Sequence, residues 1–222
     1  MYRIYLVDDE INLNQIITSY LEKEGWEVKP FTDGESALNA IEEHPDLWII
    51  DIMLPDIDGY QLLRRIKEKH RNVPVIFISA RDADIDRIIG LEMGSDDYLP
   101  KPFLPRELVI RVHRVLERVY TSSEPNNNVI NLSIYILDEG KREVRMDNGI
   151  VELTSKEYDL ALLFSKHKGQ ALSRDQIIDR VWGSDYVGTD RSVDDLVRRL
   201  RKKLPKLNIE TIYGFGYRVP SQ

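Results

Sequence analysis

Leu47-Trp48-Ile49-Ile50-Asp51 sets four apolar residues against a carboxylate, and Ile52-Met53-Leu54-Pro55-Asp56-Ile57-Asp58-Gly59 follows with turn-forming residues. An apolar run without polar alternation is the pattern of a strand buried on both faces. The same pattern recurs at Ile4-Tyr-Leu-Val7 and Val75-Ile-Phe-Ile78. Between these runs Ile16, Ile17, Tyr20 and Leu21, and then Leu62, Leu63 and Ile66, recur at helical spacing. A further helix is predicted over Arg106–Val119, with Pro105 in its first turn. Strands alternating with helices predict a parallel, doubly wound sheet, in which ligands bind beyond the carboxyl ends of the strands.

What ends the strands is therefore what matters chemically. Asp8 and Asp9 end the first run, Asp51 the second and Ser79 the third. Lys101 follows the short segment Tyr98-Leu99-Pro100 and precedes Pro102. Three carboxylates at one sheet edge repel unless a cation joins them. Mg2+ takes oxygen ligands in an octahedron and suits such a set. With Lys101 it would neutralise phosphoryl oxygens while Asp51 attacks in line. Any one of these residues reads better as an ordinary strand-end polar group; the whole set does not. Asp56-Ile57-Asp58-Gly59 could be an Asp-x-Asp phosphatase site or part of a calcium loop. The loop lacks its twelfth-position ligand, and the pair lies in a turn, so a helix start at Gly59 is the better reading.

Composition narrows the classes. The chain has 222 residues, 42% hydrophobic and 31% charged, as for a soluble globular protein. No apolar run approaches the roughly 20 residues of a membrane span, and the N-terminus lacks the features of a signal peptide, so a cytoplasmic protein is expected. The absence of cysteine excludes disulfides, thiolate metal sites and Cys nucleophiles. The four histidines, His44, His70, His113 and His167, show no ligand spacing. The net charge of −7 is uneven: residues 1–120 hold 15 Lys+Arg against 23 Asp+Glu, and the rest hold 16 against 15.

Thr121-Ser-Ser-Glu-Pro-Asn-Asn-Asn128 has no apolar period and reads as a flexible linker. The expected division is a first domain over 1–119, a linker over 120–128 and a second domain over 129–222. Beyond the linker, β-type segments are broken by Asp138-Glu-Gly140 and Asp147-Asn-Gly149, the latter a hairpin signal. Thr154-Ser-Lys-Glu157 and Ser173-Arg-Asp-Gln176 are capping boxes ahead of two helices. A third helix runs from about Arg191 to Leu204, stopped by Pro205, and the chain closes on a hairpin around Tyr213-Gly-Phe-Gly216. Three helices and a terminal hairpin make a winged helix-turn-helix. On the third helix Val193, Leu196 or Val197, Leu200 and Leu204 should face the core. Arg198, Arg201 and Lys202 should share an exposed arc, with Arg199 and Lys203 at its flanks. A basic face of this kind contacts phosphates and guanine edges; by itself it could equally be a solvated face. Gly214-Phe-Gly216 is not a dinucleotide loop, because a strand follows it.

At these residues the first half resembles the receiver domain of bacterial two-component response regulators. The motifs are Asp8-Asp9, Asp51 through Gly59, Ser79-Ala80-Arg81 and Asp96-Asp97-Tyr98-Leu-Pro-Lys101-Pro-Phe103. The second half resembles the winged-helix effector of the OmpR/PhoB subfamily, at Leu153–Tyr158, Leu172–Ile177, Val181-Trp182, Arg191–Asp194, Leu200–Leu204 and Gly214–Arg218. The expected fold is thus a flavodoxin-like α/β five-stranded receiver plus an α+β winged helix-turn-helix. The resemblance implies a sensor histidine kinase as phosphoryl donor, and Mg2+ held by Asp9, Asp51 and the Met53 carbonyl with Asp8 assisting. It further implies Ser79 and Tyr98 as switch residues and a cis Lys101-Pro102 bond. It implies a phosphorylation-induced homodimer, for which Arg87, Asp96, Asp97, Glu107, Arg111 and Arg114 could supply complementary charges. Promoter DNA, as direct repeats, would be contacted by Arg191, Arg198, Arg199, Arg201, Lys202, Thr211, Tyr213 and Tyr217, with RNA polymerase as a further partner.

Two departures affect DNA reading. Asp195-Leu196 stands where Val-His is frequent, and Tyr213 stands where the wing often carries Arg. Leu47-Trp48, Phe77–Asp86 and Phe103–Leu108 are similar to secretion-stress regulators of Gram-positive bacteria. A regulator rather than an enzyme is expected. The competing classes are a phosphorylation-independent DNA-binding protein and an acyl-phosphate phosphatase, and the latter has no use for the basic helix.

Overall fold

The computed structural model describes residues 1–80, 94–121, 129–147, 149–183 and 190–221. The chain divides into two compact units, Met1–Thr121 and Ser122–Gln222. Most of the predicted linker (residues 122–128) lies outside the described residues, as does Arg87.

The first unit is built on five parallel strands: β1 (Arg3–Val7), β2 (Glu27–Phe31), β3 (Leu47–Asp51), β4 (Val75–Ser79) and β5 (Asp97–Pro100). Their order is β2-β1-β3-β4-β5. Four α-helices are described: α1 (Ile11–Glu22), α2 (Gly34–Asn39), α3 (Gly59–Lys69) and α4 (Pro105–Leu116). Alternate strand residues supply two cores, one on each side of the sheet, which is why the strands carry no polar alternation. Ile4, Leu6, Leu47, Ile49, Ile76, Ile78 and Leu99 pack with α1 and α4. Tyr5, Val7, Trp48, Ile50, Phe77 and Tyr98 pack with α2 and α3. On α1 the expected stripe is narrower than its spacing implied. Ile17 and Leu21 are buried, whereas Ile16 and Tyr20 are 48% and 41% exposed.

The strand order reverses between β1 and β3, which are hydrogen-bonded neighbours with Val7 opposite Ile50. The carboxyl ends of these two strands therefore lie side by side at the switch point where doubly wound sheets bind ligands.

The second unit opens with a four-stranded antiparallel sheet in sequential order: β6 (Val129–Leu132), β7 (Tyr135–Asp138), β8 (Glu143–Met146) and β9 (Gly149–Val151). Three helices follow, α5 (Ser155–Lys166), α6 (Arg174–Val181) and α7 (Asp190–Lys203). The terminal hairpin of β11 (Glu210–Ile212) and β12 (Gly216–Arg218) takes a third strand, β10 (Leu172–Ser173), against β12. Sequence patterning passes over β10 because two residues carry no period. Gly216 makes its pairing possible, since a Cβ there would meet the Leu172 carbonyl oxygen at 2.1 Å. Val193, Leu196, Val197, Leu200 and Leu204 are fully buried, as the helical spacing predicted. Among the described residues, no helix is long and apolar enough to cross a membrane.

Candidate functional site

Asp8 follows β1 and Asp51 ends β3, and both side chains are almost entirely buried, whereas Asp9 is exposed. Ligand oxygens of all three lie within 4.8 Å of one another. Lys101 closes the group. Its Nζ stands 2.7 Å from Asp51 Oδ2, 2.8 Å from Asp8 Oδ2 and 3.0 Å from Glu10 Oε1. The lysine is positioned by its backbone, whose N–H donates to the Ser79 carbonyl at 2.6 Å. The Lys101-Pro102 bond is cis. Ser79 itself is fully buried at the end of β4.

Electrostatics at the site follow from burial opposed by pairing. Burial raises the Asp8 carboxyl above its ordinary range, against the pull of Lys101. Burial alone would lower the Lys101 ammonium, but Asp51 and Asp8 outweigh it and hold the group above its ordinary value. One ammonium thus serves two buried carboxylates. Asp8 Oδ2 is ion-paired to Lys101 yet makes no hydrogen bond among the described residues. The carboxylate set retains acceptor capacity and an excess of negative charge, which fits a hard divalent cation.

The backbone around Asp51 is tightly specified. Met53 N–H donates to Asp51 Oδ1 at 2.9 Å. Gly59 N–H donates to the Ile52 carbonyl at 2.9 Å, and a Cβ on Gly59 would meet the Asp51 carbonyl oxygen at 2.4 Å. Only glycine permits α3 to start this close to β3. Asp58 and Asp56 both serve helix starts. Asp58 accepts from Tyr60 N–H at 2.8 Å, and Asp56 accepts from Gly34 and Glu35 N–H at 2.9 and 2.6 Å. Burial works against the Asp56 carboxylate, but those backbone donors win and lower it. Capping accounts for the Asp-x-Asp pair.

Two site residues escaped the sequence reading. Glu10 reaches Lys101, and Asn14 is buried with its Nδ2 donating to the carbonyls of Asp8 and Phe31 at 2.9 and 2.8 Å. Asn14 ties the ends of β1 and β2 to α1. Its signal was faint, a lone amide on the apolar stripe of a helix. Tyr98 is 2% exposed within the α2–α3 core. His44 and His70, far apart in sequence, touch edge to face with centroids 4.0 Å apart. His70 Nε2 lies 3.0 Å from the Ile41 carbonyl oxygen.

The charges proposed for a dimer face are placed unequally. Glu107 and Arg114 are accessible. Arg111 already pairs within the chain, with Asp97 at 3.0 Å and Glu107 at 2.9 Å. Asp96 is a correction: it is 1% exposed, holding Arg118 at 2.8 Å, Lys67 at 3.7 Å and the Val75 N–H at 3.1 Å. A carboxylate spent on three internal donors has no face to offer a partner.

The basic helix α7 is also narrower than its sequence suggested. Arg191, Arg198 and Lys202 are exposed. Arg199 turns toward buried Glu157, at 3.5 Å, and Lys203 pairs with the same carboxylate. Glu157 also accepts from Thr154 N–H at 2.8 Å, so it joins the start of α5 to the end of α7. Arg201 donates to the Ile209 carbonyl at 2.6 Å and Thr211 Oγ1 at 2.9 Å. Tyr217 is 4% exposed, with its hydroxyl donating to Asp194 Oδ1 at 2.7 Å. Arg174 donates to that same oxygen at 2.8 Å, and the cations of Arg174 and Arg201 lie 5.2 and 5.5 Å from the Tyr217 ring. Arg199, Arg201, Thr211 and Tyr217 therefore hold α7 to its neighbours; Tyr217 is buried and the other three are half-buried. Tyr213, at the hairpin tip, is 94% exposed.

Residues 4–113 match the family of response regulator receiver domains, and residues 147–219 match the C-terminal family of transcriptional regulatory proteins. The chain is 60% identical over 222 residues to the transcriptional regulatory protein CssR of Bacillus subtilis (strain 168), covering 99% of each chain. It is 37% identical over 227 residues to CpxR of Escherichia coli (strain K12), covering 98% of this chain and 97% of that one. Among solved structures, the response regulator DrrB, a Thermotoga maritima OmpR/PhoB homologue, is 30% identical with a TM-score of 0.54 and full coverage of both chains.

Proposed function

This chain belongs to the two-component response regulators of OmpR/PhoB type, and from that membership we propose that phosphoryl transfer to Asp51 governs how the C-terminal domain occupies promoter DNA. The observation that carries the reading is Lys101 Nζ held between Asp51 and Asp8 at the carboxyl ends of adjacent strands. In the step itself an Asp51 oxygen attacks phosphorus on the phosphohistidine of a sensor kinase, the P–N bond breaks and the imidazole leaves. Lys101 neutralises a phosphoryl oxygen as charge builds there. Asp8, Asp9, Asp51 and the Met53 carbonyl would hold Mg2+, which supplies further neutralisation of the phosphoryl oxygens.

Ser79 and Tyr98, buried on β4 and β5, would report the new charge; their burial supports that reading. The reading assigns residues 1–119 to the receiver, 120–128 to a linker and 129–222 to DNA binding in the cytoplasm. It includes a homodimer on direct-repeat sites, using Glu107 and Arg114, and contact with RNA polymerase. Arg191, Arg198, Lys202 and Tyr213 are the residues exposed for DNA. Asp51 chemistry is an input here, not a turnover activity. Resemblance to secretion-stress regulators names the signal class to test first.

The test treats wild type and Asp51→Ala with acetyl phosphate and Mg2+, then measures intact mass, oligomeric state and promoter affinity. The expected result is one added phosphoryl group, dimerisation and tighter binding in wild type only. Equal promoter affinity for both proteins, or continuous hydrolysis of acetyl phosphate without effect on DNA, would overturn the reading.

A further inference from the structure

We propose that Asp195 is a specificity-determining residue of DNA recognition, accepting a hydrogen bond from the exocyclic amine of a cytosine in the major groove. The inference rests on the reading of α7 as the groove-entering helix. At about 100° per residue, Arg191, Asp195, Arg198 and Lys202 fall within an arc of about 60°, opposite the buried row of Val193, Val197, Leu200 and Leu204. Asp195 thus sits inside the basic arc, not beside it. Its side chain is 18% exposed, and Oδ1 lies 3.4 Å from Arg198 Nε. Oδ2 is buried and makes no hydrogen bond among the described residues, so the contact to a base falls to Oδ1, beside Arg198.

A carboxylate in this position works against the phosphate backbone and lowers non-specific affinity. It is useful only against a base edge that offers a donor. Cytosine N4 and adenine N6 are the donors in the major groove. Adenine places its N7 acceptor next to N6, and a carboxylate, which has no donor, is repelled there. Cytosine presents N4 with no adjacent acceptor of its own, so it is the base selected. The 3.4 Å pair also orients Arg198, whose guanidinium matches O6 and N7 of a guanine in the same or the neighbouring base pair. Asp195 and Arg198 together specify G·C at that point of each half-site.

The experiment selects binding sites from a randomised double-stranded library with the full chain as wild type, Asp195→Asn, Arg198→Ala and Lys202→Ala. Wild type should enrich cytosine at one position per half-site. Asp195→Asn, which now carries a donor, should lose that preference by about tenfold or shift it to adenine, while non-specific affinity rises because the carboxylate no longer opposes the phosphates. Arg198→Ala and Lys202→Ala should lower affinity. If those two variants lose affinity while Asp195→Asn keeps the wild-type base preference, the helix reads DNA and the assignment of Asp195 is wrong. Uniform weakening of all sites by Asp195→Asn would reduce the residue to a structural role and also overturn the proposal. Unchanged affinity and salt slope in Arg198→Ala and Lys202→Ala would remove α7 from the groove and the proposal with it.

Discussion

Replacing Lys101 by Met removes the ammonium from between two buried carboxylates while keeping a side chain of similar length. Ligand oxygens of Asp8, Asp9 and Asp51 lie within 4.8 Å of one another. At an effective dielectric constant of 20, two unit charges at that distance repel by about 3.5 kcal/mol. Lys101 is only 10% exposed, so its attraction is weakly screened by solvent. Breaking a buried pair by removing one partner costs about 3–5 kcal/mol, and that is the loss expected for Lys101→Met at pH 8 without divalent cations. Asp8 is already held above its ordinary range by burial, and losing Lys101 raises it further. A carboxyl raised in the folded state binds more protons there than in the unfolded chain. Stability conferred by that protonation is present at low pH and lost as pH rises above the ordinary carboxylate range. The deficit should therefore shrink on acidification toward pH 5. Mg2+ at about 100 times its Kd should restore about 2.7 kcal/mol.

Asp51→Asn removes a like charge beside Asp8 and should leave the metal-free protein as stable as wild type, or more so. Urea unfolding followed by tryptophan fluorescence, to which the buried Trp48 of the first unit contributes, reads all four effects. The reasoning fails if Lys101→Met costs under about 1 kcal/mol at pH 8 regardless of Mg2+, or if it and Asp51→Asn shift the midpoint in the same direction.

Gly59→Ala forces a Cβ against the Asp51 carbonyl and should cost about 1–3 kcal/mol through overpacking. Phosphorylation by acetyl phosphate should slow in the same variant, because the Asp51 backbone must move. Tyr217→Phe removes the donor to Asp194 and should destabilise the C-terminal domain by about 1–3 kcal/mol in thermal unfolding. DNA affinity should fall with the salt slope unchanged, since no phosphate contact is lost. Tyr213→Ala, at a nearly fully exposed hairpin tip, should alter stability by less than about 0.5 kcal/mol while lowering DNA affinity in a fluorescence titration.

Runs such as Leu47–Asp51 determined by themselves that strands would be buried on both faces and that Asp8, Asp51 and Ser79 would stand at their carboxyl ends. Strand order and strand polarity then bring those ends together, so the acidic site was legible before any coordinates. The capping box at Ser173 and the buried row of α7 were legible for the same reason, because both depend on spacing within one element. Tertiary structure decided which polar side chains remain available. Arg201, Tyr217 and Asp96 occupy positions that periodicity or motif leaves open to solvent, and each is spent on a partner from another element. A helical wheel gives the direction of a side chain, not what packs over it. Glu10 and Asn14 reached the site, and Arg199 turned from the exposed basic face toward Glu157, because polar side chains choose partners across strands and helices that sequence order does not place side by side.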